Sequence, residues 1–414
     1  MNKIRHYINT LTLIKGFFIS ILLSSFIYLD YFELSYPMLD TTLAIAGLYL
    51  VLVSERYTYF SIGFFTSLLW FWWIGISFLH YHMAYLIPFV LLLIGLIYGI
   101  LFYLIAKIST HFSNNLYSLL FKAFGLFTLS YIHPFGFDWF KPELIFINSY
   151  LGIQKWQFGI VLLSLVLSIY KKNIAFLLPI ILAYTPNHPH ILNQAKDIKL
   201  TSTHISVEDK WNPQKLTQNN TKMLKLIDEA ITKKYKTIIL PESVFVSFLN
   251  YDKELFDRLK AKAKDINIVA GGLYLDGNIP RNSTYIFTKT KVQVAHKYVL
   301  VPFGESNPLP KFLSDWVNEV FYDGAVDYVA TNHPSTYTID DINYTNAICY
   351  EATSSKLYSH HPKNIIAMSN NGWFSPSIEP TLQKLLLKYY SQKYHTTIYH
   401  SANMSKAYVI YSHF

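Results

Sequence analysis

The most constraining feature of this 414-residue sequence is the uneven distribution of its apolar and charged side chains. From Leu11 to about Tyr184 nearly every residue is Leu, Ile, Phe, Tyr or Ser, whereas charges return from about His190 onward. Charged residues make up only 15% of the chain, compared with about a quarter in ordinary soluble domains. The pattern predicts a transmembrane α-helical bundle at residues 1–189 and a soluble α/β domain at residues 190–414.

The apolar half contains seven segments that approach the length of about 20 residues that a membrane-spanning helix needs. These segments are residues 11–29, 36–53, 59–79, 84–108, 115–132, 152–170 and 173–187. Lysine and arginine lie mostly in alternate loops, and positively charged loops stay in the cytoplasm. Seven spans therefore predict a multi-pass protein of a bacterial inner membrane, with the soluble domain on the periplasmic side. If the seventh segment does not span, this sidedness is inverted.

Charge and cysteine content exclude several kinds of partner. Lysine and arginine exceed aspartate and glutamate by nine, an excess that suits cytoplasmic loops and anionic lipid headgroups. We find no arginine-rich cluster or basic stripe, so no nucleic acid is predicted as a partner. The single cysteine rules out an internal disulfide or a multi-cysteine metal site, and the paired histidines lack carboxylates at metal-binding spacing. The sequence predicts neither a metal nor a cofactor.

Hydrophobic periodicity in the second half of the chain alternates between helical and strand patterns. Apolar positions at helical spacing predict helices at residues 213–234, 251–264 and 380–394. Short apolar runs predict strands at residues 236–240, 266–275, 342–351 and 364–371, a hairpin at 283–297, and two closing strands after 396. Strands that alternate with helices indicate layered α/β packing.

Three of the predicted strands end near side chains that together suffice for acyl transfer. These side chains are Glu242 after KTIIL, Lys297 and Glu305 in VAHKYVLVPFGE, and Cys349 and Glu351 in AICYE. A thiol attacks a carbonyl group as its thiolate, and a nearby carboxylate can accept its proton. An ammonium group and a backbone N–H can stabilise the oxyanion that forms. Taken alone, a cysteine in an apolar strand is more often a small buried hydrophobe.

The motifs PES, K-x-x-L-V-P-F-G-E and C-Y-E, in this order, resemble those of the nitrilase or carbon–nitrogen hydrolase superfamily. Within it, the sequence resembles the membrane-bound apolipoprotein N-acyltransferase branch, and GFDW at residues 136–139 is similar to a motif of that branch's membrane half. The resemblance implies a nitrilase-like αββα sandwich. It also implies a catalytic triad in which Glu242 is the general base, Lys297 stabilises the oxyanion and Cys349 is the nucleophile.

The resemblance further implies residues that support and line the site. Glu305 and Glu351 match two supporting glutamates of the family, and the N–H of Tyr350 would be a second oxyanion donor. The segments SNNGWF and DKWNPQ supply the pocket candidates Asn370, Asn371, Trp373 and Trp211. Separately, the amphipathic pattern of residues 308–321 predicts a membrane-facing arm. Its apolar face consists of Phe312, Leu313, Trp316, Val317, Val320 and Phe321, and packing of this face on its own domain is the alternative.

The resemblance implies a two-step reaction at the surface of the lipid bilayer. Cys349 would take an acyl chain from a phospholipid such as phosphatidylethanolamine, and the resulting thioester would pass it to the amino-terminal amine of a diacylglyceryl-cysteine apolipoprotein. The chain departs from the family in having no apolar span after the soluble half, which leaves its anchoring open. The alternatives are a membrane-tethered amidase with the same triad and a catalytically silent membrane scaffold.

Overall fold

The computed structural model describes residues 9–186, 189–309, 311 and 328–411. The six apolar residues of the predicted membrane-facing arm, Phe312 to Phe321, lie outside the described residues, and the arm stays a prediction.

The chain forms two compact units whose boundaries differ slightly from the predicted division at residues 189 and 190. The first unit comprises Met1–Pro134, Phe140–His188 and Pro376–Tyr389, and the second comprises Phe135–Trp139, Pro189–Ser375 and Tyr390–Phe414. The short segment that contains GFDW thus belongs to the second unit, although it lies in the apolar half of the sequence. Part of the last predicted helix belongs to the first unit.

The first unit is a helical bundle. Its α-helices are α1 (Thr10–Tyr31), α2 (Pro37–Val53), α3 (Arg56–Phe71), α4 (Ser77–His80), α5 (Ile87–Ser109), α6 (Asn115–Thr128) and α7 (Lys155–Lys171). Among the described residues, three helical stretches are long and apolar enough to cross a bilayer, namely Thr10–Tyr31, Arg56–His80 and Ala84–Ser109. The seventh predicted span is a 3₁₀-helix of ten residues, Ile174–Ala183, with Pro179 inside it. At about 2 Å per residue, that helix is shorter than the apolar core of a bilayer.

Small residues allow the helices of the bundle to approach closely. A Cβ atom added to Gly63 of α3 would lie 2.4 Å from the carbonyl oxygen of Tyr98 in α5, so a larger residue would push these helices apart. Ser20 of α1 donates a hydrogen bond to the carbonyl oxygen of Ile62 in α3 at 3.0 Å. Such contacts are typical of membrane bundles, where close packing and interhelical hydrogen bonds replace the hydrophobic effect.

A buried polar network lies within the first unit. Glu143 is fully buried, accepts hydrogen bonds from Ser130 at 2.7 Å and Tyr389 at 2.8 Å, and pairs with Lys155 at 3.0 Å. Three partners on separate segments of the unit therefore converge on one carboxylate, which satisfies the requirement that a buried charge be paired and hydrogen-bonded.

The second unit contains two β-sheets. Its strands are β1 (His190–Leu192), β2 (Ile198–Leu200), β3 (Ser202–Thr203), β4 (Thr237–Ile239), β5 (Phe245–Phe248), β6 (Asn267–Asp276), β7 (Ile279–Phe287), β8 (Val292–His296), β9 (Thr336–Ile339), β10 (Ile342–Ile348), β11 (Asn364–Asn370), β12 (Thr397–Asn403) and β13 (Tyr408–Tyr411). Among the described residues, one sheet has the order β1-β13-β12-β11-β10-β9 with β3 beside β12. The other has the order β2-β4-β6-β7-β8 with β5 beside β6.

The two sheets pack face to face and carry helices on their outer faces. Apolar residues from both sheets form one buried cluster, which includes Ile239 and Val269 of one sheet and Ile348 and Met368 of the other. On the outer face of the β2–β8 sheet pack α9 (Leu216–Thr232) and α10 (Lys253–Lys262). The opposite face of the other sheet is also buried, at Ala347, Ile365 and Ala367 among others. The predicted αββα sandwich is confirmed.

Strand direction brings the functional candidates to strand ends. β10, β11 and β12 run parallel to one another, as do β2, β4 and β6. Parallel neighbours end at the same edge of a sheet, where α/β folds present reactive side chains. The remaining short helices of this unit include α8 (Val207–Trp211) and α11 (Ser355–Tyr358), and α12 spans Glu379–Tyr394.

Candidate active site

Close backbone packing fixes the position of Glu242. This residue lies three positions after the end of β4 and is 8% exposed. A Cβ atom on Gly271 of β6 would lie 2.7 Å from Glu242 Cα and 2.3 Å from the Ser243 nitrogen, so only glycine permits this approach. Asn282 Nδ2 donates a hydrogen bond to Glu242 Oε1 at 2.9 Å. Glu242 is thus held in place through both its backbone and its side-chain carboxylate.

Lys297 lies between two carboxylates. It directly follows β8, its side chain is 1% exposed, and its Nζ is 2.6 Å from Glu305 Oε2 and 4.0 Å from Glu242 Oε1. Asn282 Nδ2 also donates to Glu305 Oε1 at 3.0 Å, so one amide group joins the two carboxylates. The Val301 N–H holds Glu305 Oε2 at 2.9 Å. The structure therefore brings Glu242, Lys297 and Glu305 into one connected group.

Cys349 occupies an unusual backbone position where β10 ends. It has φ of +54° and begins the 3₁₀-helix Cys349–Thr353. Residues with side chains seldom adopt this left-handed region, and such strain costs about 1–3 kcal/mol where the surroundings impose it. The resulting sharp turn resembles the strand-to-helix elbows that expose nucleophiles in other enzymes. The Cys349 side chain is half-buried rather than sealed in the core.

The charges of the site influence one another. Burial lowers the pKa of Lys297, but Glu305, Glu242 and Cys349 together raise it above its ordinary value. Lys297 is therefore an ammonium group at neutral pH.

Glu351 supports the backbone around the cysteine. It is fully buried, and its two carboxylate oxygens accept hydrogen bonds from the N–H groups of Ile348 at 2.9 Å and Tyr298 at 3.0 Å. One side chain thus ties the residue before Cys349 to the residue after Lys297. Burial raises the pKa of Glu351 to about 8 despite the opposing effects of these hydrogen bonds and of Lys297.

This pKa predicts a specific pH dependence of stability. A carboxyl group whose pKa is higher in the folded state than in the unfolded state stabilises the fold while it is protonated. For Glu351 this stabilisation is complete at pH values below the unfolded-state pKa of 4.5 and is lost as the pH rises to the folded-state pKa of about 8. We expect the melting temperature in detergent to fall between pH 5 and pH 8.5, and to fall less in Glu351→Gln. The exposed Glu254→Gln variant is the control and should keep the wild-type slope. An unchanged slope in Glu351→Gln would contradict a neutral buried Glu351.

Tyr350 is bound to the GFDW segment within the second unit. Its hydroxyl donates to the Gly136 carbonyl oxygen at 3.0 Å and accepts from the Asp138 N–H at 2.9 Å. Its ring stacks on Phe137 and Trp139, with centroids 5.5 Å and 6.2 Å away. These contacts fix the position of Tyr350, which directly follows Cys349 in the chain. The predicted role of the Tyr350 N–H as an oxyanion donor stays a prediction.

The four pocket candidates differ in their surroundings. Asn370 Oδ1 accepts a hydrogen bond from Asn403 at 2.8 Å, and Asn371 donates to Ser405 at 3.0 Å, so both amides bind at the ends of β11 and β12. Trp373 lies in the 3₁₀-helix Asn371–Phe374. Trp211 ends α8 and is 41% exposed. Their contribution to a pocket stays a prediction.

Two residues of the site were missed by the sequence analysis. Lys210, next to Trp211, is 4% exposed and donates a hydrogen bond from Nζ to the Glu242 carbonyl oxygen at 2.8 Å. Asn282 joins Glu242 to Glu305, as described above. A lysine in a short polar segment and an asparagine in a strand carry no sequence signal of burial. The alternation of β7 could have placed Asn282 on the same face as the buried Thr284.

The αββα sandwich, with a glutamate, a lysine and a cysteine at its strand ends, is the arrangement that the resemblance to the nitrilase or carbon–nitrogen hydrolase superfamily implies. Solved structures that are similar to parts of this chain include an amidase from Nesterenkonia sp., which is 11% identical with a TM-score of 0.37, over 50% of this chain and 78% of the amidase chain. A CN-hydrolase superfamily protein from Xanthomonas campestris is 13% identical with a TM-score of 0.36, and covers 53% of this chain and 80% of its own.

Sequence relatives identify the family. The model of the apolipoprotein N-acyltransferase integral membrane domain matches residues 10–187. The apolipoprotein N-acyltransferase of Wolinella succinogenes is 39% identical, covering 94% of this chain and 94% of the relative. The relative from Campylobacter jejuni is 36% identical over 96% of this chain and 89% of its own length. The relative from Helicobacter pylori is also 36% identical, over 92% of this chain and 91% of its own length. The chain belongs to the apolipoprotein N-acyltransferase family and is a membrane protein.

Proposed function

We propose that this protein transfers a fatty acyl chain from a membrane phospholipid to the amino-terminal amine of a lipoprotein, through a thioester on Cys349. The observation that carries this proposal is the group formed by Glu242, Lys297 and Glu305, together with the hydrogen bonds of Glu351 that tie the residue before the strained Cys349 to the residue after Lys297. The bundle at residues 1–189 would hold the chain in the bilayer, and residues 190–414 would carry the chemistry.

In the first half-reaction, Glu242 accepts the thiol proton of Cys349, and the thiolate attacks the ester carbonyl carbon of the phospholipid. Lys297 and the Tyr350 N–H donate to the oxyanion as it forms, which stabilises the transition state where charge develops. The C–O bond breaks, the leaving oxygen takes the proton from Glu242, and a lysophospholipid departs. The acyl chain remains on the sulfur as a thioester.

In the second half-reaction, the neutral α-amine of the lipoprotein attacks the thioester. Glu242 accepts a proton from the attacking nitrogen, the C–S bond breaks and Cys349 regains a proton as the thiol. The product is an amide, which is far more stable than the thioester. Water would divert the acyl chain to a free fatty acid, so the site must exclude water while the thioester exists.

Two exposed aromatic rings near the site support an apolar acyl donor. Phe135 and Phe303 each lie in a Pro-Phe-Gly segment, each has a positive φ, and their ring centroids are 5.5 Å apart. They are 42% and 40% exposed, although large rings gain free energy from burial. Gly136, beside Phe135, accepts from the Tyr350 hydroxyl, and Phe303 lies two residues before Glu305. An acyl chain that enters the site would cover this pair.

This placement predicts a substrate-binding effect. Phe303→Ala should raise the apparent KM for phospholipid by about tenfold, because a buried aromatic contact with the acyl chain is lost. The turnover number should change much less. Tyr251→Ala, at a residue of the same unit that is 65% exposed, serves as the control and should match wild type. Equal KM values in the two variants would exclude the Phe135–Phe303 pair from substrate binding.

The function is tested with the full chain in vesicles and a synthetic diacylglyceryl-cysteine lipopeptide with a free amine. We expect the lipopeptide to gain the mass of one acyl chain and the vesicles to gain an equal amount of lysophospholipid. Vesicles of phosphatidylethanolamine and of phosphatidylglycerol should differ, with faster transfer from phosphatidylethanolamine. Release of free fatty acid without lipopeptide acylation would instead favour a membrane-tethered hydrolase. No turnover of either substrate would favour a catalytically silent scaffold.

The orientation of the protein follows from the same chemistry. Lipoproteins are exported, so the catalytic domain is proposed to face the periplasm from the inner membrane. Because the seventh predicted span is a short 3₁₀-helix, cysteine-accessibility labelling is a direct check. A cysteine introduced at the exposed Lys260 should react with a membrane-impermeant maleimide from the periplasmic side.

A further inference from the structure

The site contains a second buried lysine, for which neither the motifs nor the reaction described above has a use. Lys210 lies in α8 and is 4% exposed. Its Nζ donates to the carbonyl oxygen of Glu242 at 2.8 Å. Among the residues that the structure describes, it makes no salt bridge. Burying an ammonium group whose only hydrogen-bonded partner is a neutral carbonyl costs several kcal/mol, an order of magnitude typical of buried ions.

The surroundings of Lys210 are those of the reacting groups. Burial lowers its pKa to about 8, and Glu242 and Cys349 oppose this effect. Lys210 therefore remains largely protonated at neutral pH, and its Nζ lies against the backbone of the proposed general base, Glu242. Lys297, by contrast, has the carboxylate of Glu305 at 2.6 Å.

The ammonium group of Lys210 balances the charge of the site during the proposed proton transfer. With the thiol intact, Glu242 and Glu305 carry two negative charges, and Lys297 and Lys210 carry two positive charges. Moving the proton from Cys349 to Glu242 keeps the sum at zero. Without Lys210 the same group would hold one uncompensated negative charge in a buried place, and both the thiolate and the Glu242 carboxylate would be less stable.

We propose that Lys210 is a positioning residue of the acyl transfer, which fixes the Glu242 backbone through its hydrogen bond and supplies the second positive charge that stabilises the thiolate of Cys349. This inference rests on the proposed function for its role in the reaction. The stabilisation of the Cys349 thiolate by the charge of Lys210 does not depend on which substrate the enzyme uses.

The thiol allows a direct test because Cys349 is the only cysteine of the chain, so every thioether adduct at a cysteine, located by peptide mapping, lies at that residue. The rate of carbamidomethylation by iodoacetamide is measured from pH 5 to pH 10 in the detergent-solubilised full chain. Removing one positive charge should raise the midpoint of this profile in Lys210→Met by about one to two pH units. At neutral pH this corresponds to about a 10- to 100-fold slower reaction. No lipid substrate is needed, so the result is independent of the proposed function.

Two further variants separate electrostatic from structural effects. Lys210→Arg keeps the charge and should retain a midpoint within half a unit of wild type, by the permanent charge of guanidinium. Lys215→Met, at the surface salt bridge to Asp209 in the adjacent turn, is the matched control and should leave the profile unchanged. If Lys210→Met does not fold, the comparison of Lys210→Arg with wild type decides. A Lys210→Arg midpoint more than one pH unit away from the wild-type midpoint would overturn the proposal. A folded Lys210→Met with lower melting temperature and an unshifted midpoint would also overturn it, since it would leave only a structural role.

Discussion

Replacing Cys349 with alanine is expected to reduce acyl transfer to the lipopeptide by at least about 10³-fold, which is the order of loss when a covalent nucleophile is removed. The reason is that no other side chain of the site can hold the acyl chain: Glu242 and Lys297 lack a thiol, and the sequence contains no second cysteine. The loss should appear in the turnover number rather than in KM, since the carbonyl carbon is bound but not attacked.

The Cys349→Ala protein should remain folded. The side chain is half-buried and small, so its replacement leaves only a minor cavity. Thr221→Ala, at an exposed position of α9, is the control for purification and reconstitution and should transfer at the wild-type rate. Transfer by a folded Cys349→Ala protein at more than one-hundredth of the wild-type rate would rule out the thioester route.

Replacing Lys297 with methionine is expected to affect both stability and catalysis. The Lys297 ammonium lies 2.6 Å from Glu305 Oε2 and 4.0 Å from Glu242 Oε1, and all three side chains are largely buried. Removing one partner of such a group costs about 3–5 kcal/mol of folding free energy, because a charge stays buried without compensation. Loss of an oxyanion donor adds a decrease of about 10²–10³-fold in the turnover number.

A double variant separates these two effects. In Lys297→Met/Glu305→Gln the uncompensated carboxylate at position 305 is gone, so most of the lost stability should return, while transfer should remain at the level of Lys297→Met. Recovery of transfer together with stability would mean that Lys297 acts only through the fold.

The sequence predicted the second unit well wherever a pattern was local. The hairpin predicted at 283–297 is present, with β7 ending at Phe287 and β8 beginning at Val292. Glu242, Lys297 and Cys349 were chosen because each follows an apolar run, and each does lie just beyond a strand end. Alternation of side chains along a strand is a property of neighbouring residues, which is why it is visible without a structure.

Features that depend on distant residues were not predictable in this way. GFDW was assigned to the apolar half by its place in the sequence, yet Asp138 and Trp139 bind Tyr350 and Thr353 within the second unit. Lys210 resembles any solvent-exposed lysine until the structure shows it beneath Glu242. The seventh apolar segment satisfied a hydropathy criterion, but its proline and its 3₁₀ geometry make it short.

The central claim is that a fatty acyl chain resides on the sulfur of Cys349 between its two lipid carriers, and intact-mass spectrometry of the protein tests it most directly. After incubation with phosphatidylethanolamine vesicles and no acceptor, the wild-type chain should gain the mass of one acyl group, which hydroxylamine at neutral pH and the lipopeptide both remove. Peptide mapping should place the adduct on Cys349, and Cys349→Ser should carry no hydroxylamine-labile thioester. A wild-type protein that transfers acyl chains to the lipopeptide yet never carries the adduct, or that carries it on another residue, would contradict the account.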